Sequence, residues 1–229
     1  MEGLTIPNTA LFAFIQAIPF SFAALFPLLN PLGSAVIFLS LTQGVSQAGL
    51  NSLSAKIGVN TFVLLVVVLL TGSWILRFFG ISIPMVQIGG GLVVAYIGWT
   101  MLNQPASYHK NDAVPDNNKD IKDMAFFPLT MPITAGPGCI AVTLTIGAHQ
   151  MQPALSTTAL GELGAIIGIA LGAISVFVCY RYANYLIEKL GASGTQVIMR
   201  LSAFINLCIG LTIIWHGVEG LFPNLSVTP

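Results

Sequence analysis

Two long apolar runs of this chain are broken by prolines at matching places, and this constrains its fold more than any other feature. The first break reads Pro27-Leu28-Leu29-Asn30-Pro31-Leu32-Gly33. The second reads Pro128-Leu129-Thr130-Met131-Pro132-Ile133-Thr134-Ala135-Gly136-Pro137-Gly138. Proline donates no backbone hydrogen bond and clashes with the turn before it. A water-soluble protein can treat such a stretch as a loop. At bilayer depth the freed backbone groups must be buried in protein or line a polar cavity. Interrupted apolar segments in corresponding positions of two halves are the sequence pointer to a transporter's binding site.

The membrane setting follows from the scarcity of charge. Of 229 residues, 55% are hydrophobic and only 7% charged, against about 25% in a soluble domain. Such a chain cannot cover a water-facing surface, and its net charge of zero gives no basic field for nucleic acid. Cys139, Cys179 and Cys208 sit in apolar runs without metal-like spacing and read as small buried hydrophobes. Residues 1–10 hold no Lys or Arg, so the basic n-region of a cleaved signal peptide is missing and the first apolar run reads as a retained span.

A crossing takes about 20 apolar residues. The run from Leu11 to Thr42 is too long for one straight crossing at about 1.5 Å per residue. It reads as a helix to Leu29, an unwound turn from Asn30 to Gly33 and a second helical piece from Ser34 to Thr42, with Gln43 to Lys56 as the polar segment after it. Further spans read from Ile57 to Leu76, Met85 to Leu102, Met124 to Ala148 (broken), Ala159 to Tyr180 and Val197 to Val218, with Arg181 and Lys189 in a polar loop. Gly161, Gly164, Gly168 and Gly172 form a smooth stripe for close helix packing.

The expected fold is therefore all-α and polytopic, with six transmembrane segments as two three-segment repeats, 1–103 and 124–229, joined by a polar linker at 104–123. PLLNP at 27–31 pairs with PLTMP at 128–132, and IGWTML at 97–102 with IGLTII at 209–214. An odd number of spans per repeat inverts the second copy. Lys56, Lys110, Lys119, Lys122, Arg181 and Lys189 fall on one side and only Arg77 on the other. The basic side is expected to be cytoplasmic, which puts the linker inside and both termini in the periplasm.

The chemistry expected is binding rather than catalysis. No His, Asp and Glu cluster has ligand or acid–base spacing, so no enzyme activity, metal or cofactor is expected. Glu162 and Glu219 lie near span ends, and no carboxylate falls at mid-membrane. A half-helix that starts after a break offers unpaired N–H groups and the positive end of its dipole, where a carboxylate docks without a basic side chain. Asn30 adds an amide; Ser34, Thr130 and Thr134 add hydroxyls; Pro31 and Pro132 free carbonyls for an ammonium. Gly33, Gly136 and Gly138, with Pro137, permit close backbone approach. Together these ten residues suit a small zwitterion. The alternative is that the prolines only kink helices for packing. Gln87, beside the glycines at 89–91, and Arg200, just inside the sixth span, are the gating or coupling candidates, although Arg200 could equally snorkel to the interface.

NPLG at 30–33 followed by FLSLT at 38–42, FGISIP at 79–84 and PLTMPITAGPG at 128–138 together resemble the MarC family of bacterial inner-membrane proteins over nearly the whole chain. Asn30, Pro31, Gly33, Pro132, Ala135, Gly136, Pro137, Gly138 and Arg200 match the family pattern. Relatives often carry Arg where this chain has Gln87; if that Arg works with Arg200, substrate or coupling differs here. The resemblance implies a secondary transporter, or an exporter, of small neutral amino acids, with a proton or sodium ion as the open choice of coupling partner. Two alternatives stand beside it. One is a membrane scaffold or sensor without transport. The other is efflux of drug-like molecules, which would call for a larger, aromatic-lined site with an acid at depth.

Overall fold

A computed structural model describes residues 8–103, 124–149 and 155–222, and the described chain is helical apart from short turns. The first half forms α1 (Asn8–Leu29), α2 (Pro31–Leu41), α3 (Gln47–Phe79) and α4 (Ile83–Asn103). The second forms α5 (Ala125–Thr134), α6 (Pro137–His149), α7 (Leu155–Arg181) and α8 (Ala183–Leu221). The linker at 104–123, and with it three of the six basic residues that set the expected orientation, lies outside the described residues.

Five helical spans are long and apolar enough to cross a bilayer, and α5 with α6 forms a sixth candidate bent by 71°. The segment count matches expectation, but several boundaries do not. The first interruption is one residue, Asn30, rather than four, because Pro31 sits at the first helical position of α2 and carries Leu32 and Gly33 into its opening turn. That position has no intrahelical use for an N–H, so proline fits it. Pro19 and Pro27 lie within α1 without ending it. The polar stretch after Gln43 turns helical at Gln47, where Ser46 caps the end by accepting from the Gly49 N–H at 3.2 Å. The expected loop at 182–196 is helical too, interrupted at Gly191 (φ 65°, ψ 177°).

The packed pairs exchange under a swap of the two halves. α1 lies on α7 as α5 lies on α3. α2 meets α8 and α7 as α6 meets α4 and α3. The remaining major pairs are α3 with α7 and α4 with α8. α4 and α8 run antiparallel, with Pro84 near Gly217 and Gly220 at one end and Gly98 near Ala203 and Leu207 at the other. A β-carbon on Gly98 would lie 2.5 Å from the Leu207 backbone nitrogen, and one on Gly210 would collide with the Ala95 backbone. Gly98 and Gly210 are the second residues of the two IG-x-T strings, so the seam joins matching positions through backbone contact of the kind small residues allow. The stripe on α7 behaves as expected, with Gly164 and Gly168 against the backbone of Phe14 and Ile18 in α1. Between the halves lies a core of Leu25, Leu29, Phe38, Leu65, Leu129, Ile169 and Tyr180.

Candidate substrate cavity

At the first break one residue ends one helix and starts the next. Asn30 has φ 44° and ψ 58°, the left-handed conformation that Asn tolerates better than other side-chain-bearing residues. Its N–H donates to the Phe26 carbonyl (3.1 Å) and its carbonyl accepts from the Ser34 N–H (2.9 Å). Its side-chain Oδ1 accepts from the Gly33 N–H at 3.2 Å, the usual N-cap bond. The amide then lies over residue 33, where any β-carbon would strike it. This accounts for both the Asn and the Gly of the NPLG string.

The second break is built differently. Phe127 and Met131 leave helical geometry inside α5, each before a cis proline. The backbone pairs at a wider interval, Leu129 N–H to Met124 carbonyl (3.2 Å) and Ala135 N–H to Thr130 carbonyl (2.8 Å). Pro137 then starts α6. The structural counterpart of Asn30-Pro31 is therefore Gly136-Pro137, not the Met131-Pro132 that the PLLNP/PLTMP alignment pairs with it. The alignment followed identical letters, whereas the fold follows the proline that opens a helix.

The hydroxyls expected to bind substrate are mostly committed to the backbone. Ser34 Oγ donates to the Leu29 carbonyl (3.2 Å), and Thr130 and Thr134 donate to those of Ala125 and Leu129 (2.6 Å each). Each reaches back five residues to a carbonyl next to a break. Thr134 also meets the Tyr180 phenol at 2.7 Å. Since the Thr134 proton goes to Leu129, Tyr180 is the donor in that pair. Tyr180 stacks on Phe38 with ring centres 4.6 Å apart, so α7 ties the end of α5 to α2.

Between α2, α4, α6 and α8 lies a cavity of about 270 Å³. Of the ten predicted binding residues, Asn30, Ser34, Pro132, Gly136 and Gly138 line it, so both breaks reach one space. Pro31 faces a neighbouring cavity of about 240 Å³ between the first break and α8, which Asn30 also lines. Gly33, Thr130, Thr134 and Pro137 are not on the wall. Gly33 lies beneath the Asn30 amide and the two threonines are fully buried. Among the described residues lining the larger cavity none carries a charge.

Gln87 and Arg200 do not meet. Gln87 lies beside Ile88, which packs on Gly217, while Arg200 lies past Ala203, the partner of Gly98. They occupy opposite ends of the α4–α8 seam, neither lines the cavity, and Arg200 is exposed. Direct pairing of these two positions is thereby excluded in this arrangement.

Sequence reasoning missed Asn206. It lies in α8, is 6% exposed, lines the larger cavity, and its Oδ1 has no hydrogen-bond partner among the described residues. The signal was present, an amide in the middle of the apolar string AFINLCIGL. It lies far in sequence from either proline break, where the polar side chains draw attention, although an uncharged polar side chain anywhere inside a span is expensive and in need of a partner. Tyr180 and Cys139, the latter on the cavity wall, were likewise read only as parts of apolar runs.

Comparison with known proteins agrees with this architecture. The profile of the MarC family integral membrane proteins matches residues 15–222. This chain belongs to the MarC family. It is 31% identical to the UPF0056 membrane protein YvbG of Bacillus subtilis, over 94% of this chain and 99% of that one. It is 32% identical to the UPF0056 inner membrane protein MarC of Salmonella typhimurium, over 89% of this chain and 94% of the relative. No solved structure matches the chain at a significant level. As a MarC-family protein it is an integral membrane protein with multiple helical spans.

Proposed function

We propose that this protein is a secondary transporter of small neutral amino acids, working by alternating access around the cavity between its two breaks. The observation that carries the reading is convergence. Asn30 and Gly136, remote in sequence and each at the start of a half-helix, face one uncharged, partly polar space. The start of α6 offers a carboxylate the positive end of the helix dipole, with the backbone of Gly138 and Cys139 on the cavity wall; Pro137, the first residue of the helix, adds no N–H of its own. At about 270 Å³ the space falls just under the roughly 300–1,000 Å³ of sites for drug-sized ligands, which favours a compact solute over drug efflux. The swapped helix pairs and the antiparallel α4–α8 seam support an inverted repeat. The relatives from Salmonella are inner membrane proteins by name, which supports the inner membrane as its location, and lysine and arginine placement supports periplasmic termini with the 104–123 linker inside.

Proteoliposome uptake and counterflow with labelled glycine, alanine and serine test the reading. Saturable exchange of at least one of them is expected. Folded protein that exchanges none of them would overturn it.

A further inference from the structure

α3 and α7, one helix from each half, pack antiparallel. Asn184, at the start of α8, donates from Nδ2 to Gln47 Oε1 at the start of α3 (3.1 Å), and farther along Gly58 lies against Ala173 and Phe177. Beside this seam runs a groove of about 370 Å³ whose lining side chains are all apolar. Gly58, Ala170 and Ala173 keep it hollow, and Val59 and Ile174 form exposed lips on the outside of the bundle.

The two ends of the groove differ. Past Phe62 and Ala170 it runs into uncharged stretches of both helices, 63–76 and 163–169. At the other end stand two cations. Arg181 is one turn beyond Phe177 on the same face of α7, and its guanidinium carbon lies 5.7 Å from the centre of the Phe177 ring, so the last ring of the groove is also the platform for the charge. Lys56 adjoins Ala55 on α3 and is exposed; its long side chain reaches outward to the interface. Because the helices are antiparallel, 47–56 and 177–184 share one end, and both cations stand at one mouth. Among the described residues neither is in an ion pair, Glu188 of α8 included.

A hollow lined with hydrocarbon, leading away from two unanswered positive charges, is complementary to one amphiphile. We infer that it seats an acyl chain of an anionic phospholipid from the leaflet on the basic side of the protein, with the phosphate between Arg181 and Lys56. Basic pockets between spans bind anionic headgroups in this way. A zwitterionic lipid brings the same phosphate together with an ammonium, which the two cations repel, so the seat selects net negative charge. The inference stands apart from the transporter reading. Its consequence is mechanical, since the lipid lies across the seam where the two halves meet through α3 and α7.

The test measures lipid retention by the full chain. Protein is exchanged into mixed micelles holding equal amounts of phosphatidylglycerol and phosphatidylcholine with identical acyl chains, and bound lipid is read by native mass spectrometry. Wild type is expected to retain phosphatidylglycerol about 30-fold over phosphatidylcholine, roughly fivefold for each cation. Arg181→Gln and Lys56→Gln should each cut the preference about fivefold, and the double variant should abolish it. Arg77→Gln, which removes the same charge at the far end of α3, should keep it. Ala170→Phe fills the groove with both cations in place and should lose the bound phosphatidylglycerol. The glutamine substitutions fall on side chains outside the core and decide the matter even if Ala170→Phe does not fold. Four results would overturn the proposal: wild type without a preference, a preference that survives the double variant, an equal loss in Arg77→Gln, or folded Ala170→Phe that keeps its lipid. A lipid-free dimer cross-linked through Val59→Cys would give the groove to a second copy of the chain and overturn it as well.

Discussion

Asn30 offers the sharpest test of the site's construction, because its two local duties respond differently to two substitutions. Asn30→Ala removes the cap to Gly33, worth about 1 kcal/mol, and leaves at φ 44° a residue without the local hydrogen bonding that eases Asn into the left-handed region, a part of its about 1–2 kcal/mol cost. The sum is roughly 1–3 kcal/mol, a fall of roughly 2–12 °C in melting temperature for a chain of this size. Asn30→Gly also loses the cap, but glycine is a tolerable N-cap and adopts the left-handed conformation without strain. Its net loss should stay under about 1 kcal/mol, including the greater freedom of the unfolded chain. Both variants remove the amide from the wall of the larger cavity. Thermal unfolding in nanodiscs should therefore rank wild type just above Asn30→Gly and well above Asn30→Ala, while proteoliposome uptake falls in both. If Asn30→Gly melted as low as Asn30→Ala, the left-handed geometry would not be what the asparagine provides. If Asn30→Gly transported at the wild-type rate, the amide would have no part in the site.

Three further outcomes follow. Gly138→Ala would drive its β-carbon into Val94; uptake should drop and recover in Gly138→Ala with Val94→Ala, and no recovery would place the defect elsewhere than this contact. Thr134→Val removes two side-chain hydrogen bonds, to the Leu129 carbonyl and to the Tyr180 phenol, each about 1 kcal/mol. It should lower the melting temperature by roughly 4–8 °C, and an unchanged value would contradict the tie between α5 and α7. Gly98→Val should disrupt the α4–α8 seam, at about 1–3 kcal/mol or more for overpacking. Gly89→Ala, with open space around it, should change the melting temperature little, and equal effects of the two would refute the seam.

The crossings were legible because bilayer length and apolar composition constrain them directly. The convergence of the two breaks was legible from the prolines, since a broken helix at depth needs somewhere to put its backbone groups. Helix ends outside the apolar stretches were not. Hydropathy reports what faces lipid rather than what is helical, so the polar turns of α3 after Ser46 and the segment from Ala183 to Gly191 read as loops. The fate of the hydroxyls was also hidden. Whether Thr134 serves a solute or the Leu129 carbonyl depends on the wide turns of α5, which the order of residues does not announce. Asn206 was visible but unweighted, because only tertiary packing shows that nothing in the protein answers its oxygen.

The amide of Asn30 fills the volume that any side chain at residue 33 would need, and this links the two positions. Gly33→Ala therefore acts at a distance from itself, because the amide has to swing off its cap to make room for the new methyl group. The two positions are coupled through that one bond, and a change at either gives up the same cap.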